Sequence, residues 1–403
     1  MKILFISYDG MTDNLGQSQA LPYLKGLSNE NCRIHIISLE KKDQFIKKKD
    51  SVRALSESAD IVWHPLVYSN KLPIISPYLN YKLLKNKALE LQEKENFDLV
   101  HCKSDIPSLI GYKLKRKEKV KFIFDTEGFW ADERIEGKIW NKYNPIYWLL
   151  YYFFKFKEKQ FIHHADGLIC LTKKARKIIL DKYKLNHLHK KITVKPCAVD
   201  LELFDPSKIN TIDQRFLKST LGIKNAKVFG YLGSLGTWYM LDEMLAFYSV
   251  QRTKFDNCVF LLITNTSKEL VLGKAKQYNI PPKEIIVHSS DYKDVPLCLS
   301  IFDFSLIFIR PTFSKLGSSP TKQGETMAMK IPIICNSGIG DSDEIIEKYK
   351  AGKILSSLNQ ASFENCDLNS LEFDADKTRE GATKHFSLEK GVQSYLEAYQ
   401  KTL

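Results

Sequence analysis

Short, unbroken apolar runs recur along the whole chain with helical patterns between them, and this alternation constrains the fold more than any other feature. Lys2–Ser7 (KILFIS), Arg33–Leu39 (RIHIISL), a run starting at Asp60–Val62, Asp98–His101, Lys121–Asp125 and Gly167–Leu171 form one series, with a helix over Leu83–Glu95. Val228–Leu232, Val259–Thr264, Glu284–Val287, Phe304–Ile309 and Pro332–Cys335 form a second. Strands without polar alternation are buried on both faces, which is the pattern of a parallel sheet covered by helices on both sides. The expected class is therefore α/β, with two Rossmann-like domains. Lys195–Pro206 (KPCAVDLELFDP) reads as the linker, and Val392, Tyr395, Leu396 and Tyr399 fall at helical spacing near the end of the chain. These signals predict domains over 1–198 and 199–385, with a terminal helical segment over 386–403.

A length of 403 residues suits two such domains. No apolar run reaches the roughly 18–20 residues that span a bilayer. The opening MKILFISYDG reads as a strand rather than a signal peptide, so a cytoplasmic location is expected. None of the eight cysteines lies in a CxxC pair, which fits small apolar side chains in a reducing compartment. His187 and His189 flank a leucine, but no nearby cysteine or carboxylate completes a site, so the histidines give no zinc spacing.

The net charge of +13 is one-sided. Residues 1–200 hold 36 Lys+Arg against 23 Asp+Glu, while residues 201–403 hold 24 of each. A basic half attracts a phosphorylated ligand or an anionic membrane. No nucleic-acid-binding motif accompanies it. Asn144–Phe154 (NPIYWLLYYFF), followed by Lys155, Lys157 and Lys159, is too short to span but has the aromatic and basic character of a bilayer interface. A core helix packing its aromatics is the other reading of that segment.

In open parallel sheets, ligands bind at the loops after the strands. The first such loop, Asp9 to Ser18, contains Asp13, Gly16 and Gln17 but no dinucleotide glycine pattern. The loop after Asp125 contains Glu127, Phe129, Trp130, Asp132 and Glu133. Its aromatic faces suit sugar rings, and its carboxylates suit hydroxyls or general-base work. Gly233 and Ser234 open the loop after Leu232. The stretch from Arg310 to Glu325 is the most informative. It carries Arg310, Lys315 and Lys322 with Ser318, Ser319, Pro320 and Thr321 at a helix start, a pattern suited to phosphate.

These residues resemble a GT-B glycosyltransferase of the retaining family 4 type, with two Rossmann-like domains facing a cleft. The resemblance covers nearly the whole chain. It rests on GQSQ at Gly16, GFWADER, HHADGLICLT (163–172), PCAVDLELF, YLGSLGTWY and SSPTKQGETMAMKIPIICN (318–336). It implies a nucleotide-sugar donor as substrate, no cofactor and no bound metal, and a role for Glu325 on the donor ribose. Two positions depart from the family pattern. A preceding glutamate is replaced by Gly317, and the diphosphate-binding Arg and Lys after the first C-terminal strand are replaced by Ser234 and the Trp238–Tyr239 region. Arg310, Lys315 or Lys322 is the expected substitute charge, with a one-phosphate donor such as a CMP-activated acidic sugar as the other explanation.

The expected activity is thus hexosyl or related transfer, probing residues Glu127, Asp132 and Lys322 as the catalytic candidates. Gly16, Gln17, Gly233, Ser234, Arg310, Lys315, Ser318, Ser319, Pro320, Thr321, Lys322 and Glu325 are expected at the donor. Asp13, Phe129, Trp130 and Glu133 are expected at the acceptor. The family and the basic half together imply a lipid-linked glycan acceptor, an anionic inner-membrane surface and bacterial surface polysaccharide synthesis. A GT-B-type nucleotide-sugar epimerase and a lectin-like protein are the alternatives.

Overall fold

The computed structural model describes residues 1–70, 75–185, 189 and 191–403. His187 lies outside them. The chain divides into two units, Met1–Ala198 with Leu388–Leu403, and Val199–Ser387.

The N-terminal unit has seven strands: β1 (Lys2–Ser7), β2 (Arg33–Glu40), β3 (Ile61–Val67), β4 (Leu99–Lys103), β5 (Lys121–Asp125), β6 (Gly167–Cys170) and β7 (Ile192–Val194). They pair in parallel in the order β3-β2-β1-β4-β5-β6-β7. Side chains alternate between two apolar layers, which is why the runs are unbroken. Ile3 and Phe5 enter one core, Leu4 and Ile6 the other. β3 contains Pro65, which is tolerated because β3 is an edge strand.

The closing helix Leu388–Thr402 packs on this unit, with Tyr395, Leu396 and Tyr399 buried in the first of those layers. Small residues allow its close approach to helix Leu21–Ser28. A Cβ on Gly26 would sit 2.4 Å from Val392, and one on Gly391 would sit 2.3 Å from the Tyr23 ring.

The C-terminal unit has six parallel strands: β8 (Lys227–Leu232), β9 (Cys258–Ile263), β10 (Ile285–His288), β11 (Phe304–Ile307), β12 (Ile333–Asn336) and β13 (Gly352–Leu355). Their order is β10-β9-β8-β11-β12-β13. In both units the strand order reverses once, between β1 and β4 and between β8 and β11. Loops that leave the carboxyl ends of such strands diverge and open a crevice for ligand. β7 and β13 have no counterpart among the expected strands. Each is short, three and four residues, and only partly buried, so its apolar signal is weak.

The aromatic segment belongs to helix Pro145–His164, which has one packed face and one exposed face. Phe154, Phe161 and Ile162 are buried, while Ile146, Leu149, Tyr152 and Phe156 form an exposed stripe. Leu149 is 73% exposed and Phe156 57%. Among the described residues, no helix is long and apolar enough to cross a membrane.

Candidate active site

In the N-terminal unit the loop after β1 is fixed by Glu40, the last residue of β2. Its carboxylate accepts from the Met11 amide (2.8 Å), the Thr12 amide (3.0 Å), the Thr12 hydroxyl (2.5 Å) and the Ser38 hydroxyl (2.6 Å). An acidic residue at this position holds a ribose in dinucleotide-binding folds. Here its acceptor capacity is taken by its own chain, so this crevice is not built for a dinucleotide. Gly16 is buried in the same loop, and a Cβ there would lie 2.1 Å from the Gly10 carbonyl oxygen. Its glycine is required by loop closure. The Gln17 amide donates to the Asp13 carbonyl (3.0 Å), and the Asp13 carboxylate pairs with Lys41 (2.8 Å).

The loop after β5 carries Glu127 at φ +46°, a left-handed backbone that non-glycine residues adopt at a cost of order 1–3 kcal/mol. Its carboxylate is ion-paired with Lys103, the buried end of β4. Burial raises the Glu127 pKa, and Lys103 opposes that shift. Burial also disfavours the Lys103 ammonium, but Glu127, Asp9 and Asp125 together hold its pKa above the ordinary lysine range. Asp125 lies beneath, accepting from Tyr395 (2.8 Å) and facing His101 (3.3 Å).

Asp9, Glu127, Trp130, Glu133 and Arg134 line a cavity of about 1170 Å³ within this unit. Three expected residues lie elsewhere. Phe129 is 4% exposed and packs in the core, because helix Trp130–Glu136 starts one residue later and turns Trp130 to the cavity. Asp132 is held by Lys155 (2.7 Å) and the Tyr151 hydroxyl (2.9 Å), which removes it from the candidate bases. Asp13 is off the cavity, paired as above.

In the C-terminal unit the chemistry gathers at helix Thr321–Ala328, which follows the loop after β11. Pro320 occupies its N-cap position and no side chain caps it. Amides at such an end are ready donors to an anion. Lys322 stands in its first turn and is buried. Its ammonium donates to the Tyr231 hydroxyl (3.1 Å) and lies 4.4 Å from the Tyr231 ring centre and 3.4 Å from that of Tyr239. A Cβ on Gly233 would come within 2.9 Å of it. Burial pushes the Lys322 pKa down to about 7, with Glu325 opposing. Glu325, one turn on, is also buried. Burial pushes its pKa up to about 7, against Lys322 and a hydrogen bond from Tyr292.

Lys315, also buried, lies 3.8 Å from the Trp238 ring centre. Arg310 is half-buried, and its amide donates to the Trp238 carbonyl (2.9 Å). The loop after β8 therefore supplies aromatic faces rather than cations, and the loop and helix after β11 supply the cations that lie on them. Ser234 is exposed and its carbonyl accepts from Tyr231 (2.6 Å), while Ser318, Ser319, Pro320 and Thr321 are half-buried ahead of Lys322.

Residues 20–203 match the family model described as Glycosyltransferase Family 4. The two parallel α/β units have the GT-B fold. No curated protein sequence matches the chain. Its fold is that of several solved structures. A glycosyltransferase from Rickettsia africae is 17% identical with a TM-score of 0.67, covering 100% of this chain and 98% of that one. HepE of Anabaena, solved with UDP and glucose, is 12% identical with a TM-score of 0.71 and 99% coverage of both chains. The lipopolysaccharide outer core galactosyltransferase WaaB is 12% identical with a TM-score of 0.66, covering both chains fully.

Sequence reasoning missed several residues of the two sites. Lys103 had a signal, a lysine ending an otherwise apolar strand. Tyr231, Tyr239 and Tyr292 had none, because their relation to Lys322 and Glu325 arises only from the parallel pairing of β8 with β11 and the packing around them.

Proposed function

We propose that the enzyme transfers a sugar from a nucleotide-sugar donor, bound in the C-terminal unit, to a lipid-linked glycan acceptor bound in the N-terminal unit. The observation that carries the donor assignment is the buried Lys322 and Glu325 pair at an uncapped helix start. Lys322 would neutralise the leaving phosphate together with the helix amides, and Glu325 would accept from the ribose hydroxyls. Arg310 and Lys315 would add charge at the same phosphates. In retaining transfer the acceptor hydroxyl attacks from the face of the leaving group. The bond from the anomeric carbon to the phosphate oxygen breaks, the new glycosidic bond forms, and the hydroxyl proton passes to the departing phosphate. No protein base takes part. Glu127 would then hold acceptor hydroxyls, whereas in an inverting reaction it would be the base.

The exposed stripe of helix Pro145–His164, with Lys142, Lys157 and Lys159 around it, supports a peripheral position on an anionic membrane, where a lipid-linked acceptor of surface polysaccharide synthesis would be met.

The test is thermal stability against UDP, GDP, ADP, TDP, CMP and their sugars. A ligand at a hundred times its dissociation constant stabilises by about 2.7 kcal/mol. A shift with one diphosphate supports the reading and names the base. A shift with CMP alone moves the donor class to one-phosphate acidic sugars. Formation of an altered sugar from donor alone, without any acceptor, would replace transfer by epimerisation.

A further inference from the structure

The cavity of the N-terminal unit is long and its two ends differ in charge. Ile106, Leu109, Lys113, Arg116 and Lys117 of helix Asp105–Glu118 all line it. Their three- and four-residue spacing places them on one helical face. From Ser104 to Lys117 this face runs about 20 Å at 1.5 Å per residue. The Ser104 end lies beside β5, since the Ser104 amide donates to the Asp125 carbonyl (2.8 Å), one residue before the loop that carries Glu127. Glu127 lies there, and Asp9 and Glu133 line the cavity too, with Arg134 near Asp9 as a cation among them. The other end carries Lys113, Arg116 and Lys117. Tyr81, Tyr112, Trp130 and Phe154 present aromatic surface to the same cavity.

The pairing of the cations separates a ligand site from an ordinary basic helix end. Cations in a last helical turn complement the helix dipole, and that accounts for a lysine anywhere in Lys115–Lys117. It does not account for which of them have partners. Lys115, which does not line the cavity, is ion-paired with Asp166 (2.6 Å). Among the described residues, Lys113, Arg116 and Lys117, which do line it, have no carboxylate partner. Arg116 lies instead over the Tyr112 ring at 5.8 Å.

We infer that the acceptor is an oligosaccharide, longer than a single sugar, carrying a phosphate at the end remote from the hydroxyl that receives the donor sugar. The receiving sugar sits at Glu127 and Asp9, intermediate sugars stack on the aromatic rings, and Lys113, Arg116 and Lys117 hold the phosphate. This rests on the reading of the cavity as the acceptor site of a glycosyltransferase.

The experiment uses the donor found by the nucleotide panel, radiolabelled in its sugar, and a detergent extract of the native organism's membranes as acceptor. In the full-length R116E/K117E variant, KM for the extract rises at least about tenfold while kcat and donor affinity stay near wild type. Lys119→Glu, the same charge reversal per residue at a position off the cavity, leaves KM unchanged. Mild acid, which splits glycan from phosphate, lowers acceptor activity with the wild-type enzyme to the level of the variant. The labelled product is longer than a disaccharide. An unchanged KM in the double variant, an equal rise in Lys119→Glu, full activity of the phosphate-free glycan, or a labelled disaccharide would each overturn the inference. Failure of the transferase reading is distinct: the wild type would bind donor and label nothing in the extract.

Discussion

Each unit holds a lysine and a glutamate at the carboxyl edge of its sheet, Lys103 with Glu127 and Lys322 with Glu325, and the two pairs are built in opposite ways. Lys103 and Glu127 are in contact, and with Asp9 and Asp125 nearby the lysine is held firmly charged. Lys322 and Glu325 stand three positions apart on one helix and form no ion pair among the described residues. Burial there dominates both groups and drives both pKa values to about 7. The first pair is complete and fixes a strained loop. The second is incomplete: its lysine rests on two tyrosine rings beside free helix amides, and a bound anion would complete it. Burying a charge without full compensation destabilises a fold, so such a site is retained for what it binds.

The sharpest way to break this comparison is to remove the two lysines separately. Lys322→Met should weaken diphosphate binding at least about 100-fold, or about 2.7 kcal/mol, while the unliganded protein melts higher than wild type. Unchanged donor affinity would remove Lys322 from the phosphate site. Lys103→Met should do the reverse. It leaves Glu127 without its partner and should lower unfolding free energy by about 2–3 kcal/mol, the low side for a broken buried pair, since Glu127 keeps 25% of its side-chain surface exposed. Nucleotide binding should be retained. A Lys103→Met protein as stable as wild type, followed by denaturant titration, would mean the contact does not hold the loop.

A smaller effect is expected at the glutamate. Glu325→Gln keeps the shape but loses a charged acceptor, and affinity for a ribonucleotide should fall about tenfold, the value of one charge-assisted hydrogen bond. A 2′,3′-dideoxynucleotide should bind wild type and variant equally, as calorimetry would show. A persistent difference would place Glu325 away from the ribose.

The sheets were legible because parallel strands buried on both faces leave unbroken apolar runs such as KILFIS and KFIFD, and β1 and β5 have the bounds those runs predict. The candidate site was legible where chemistry is local in sequence. Lys322 and Glu325 share one helix, and Glu127, Trp130 and Glu133 share one loop. It was not legible where partners meet through the fold. Glu40 reads as a polar end of β2, yet it is saturated by donors from residues 11, 12 and 38. Asp132 and Glu133 are neighbours in sequence, but the helical turn sends one to Lys155 and the other to the cavity. Tyr231 and Tyr239 stack on Lys322 only once β8 and β11 are adjacent.

The comparison also predicts pH behaviour peculiar to the C-terminal pair. A diphosphate beside Lys322 favours the ammonium and lifts its pKa from about 7, so binding takes up a proton at higher pH. Affinity should then fall above pH 7, by at most about tenfold per pH unit. Glu325 accepts from ribose as a carboxylate, so affinity should also fall below pH 7, where its carboxyl is protonated. Stability of the unliganded protein should follow the opposite course. The unfolded chain keeps the lysine proton up to 10.5 and the folded chain only to about 7, so this contribution rises with pH between those values. Folded Glu325 keeps its proton to about 7 against 4.5 unfolded, so its contribution falls as pH rises from 4.5 to 7. The two slopes meet in a shallow stability minimum near pH 7, where donor affinity is greatest. Saturating diphosphate should fill that minimum, and Lys322→Met should abolish its alkaline limb. Melting curves from pH 5 to 10 that show no such limb would mean the buried lysine is compensated within the unliganded protein, and the contrast with Lys103 would fail.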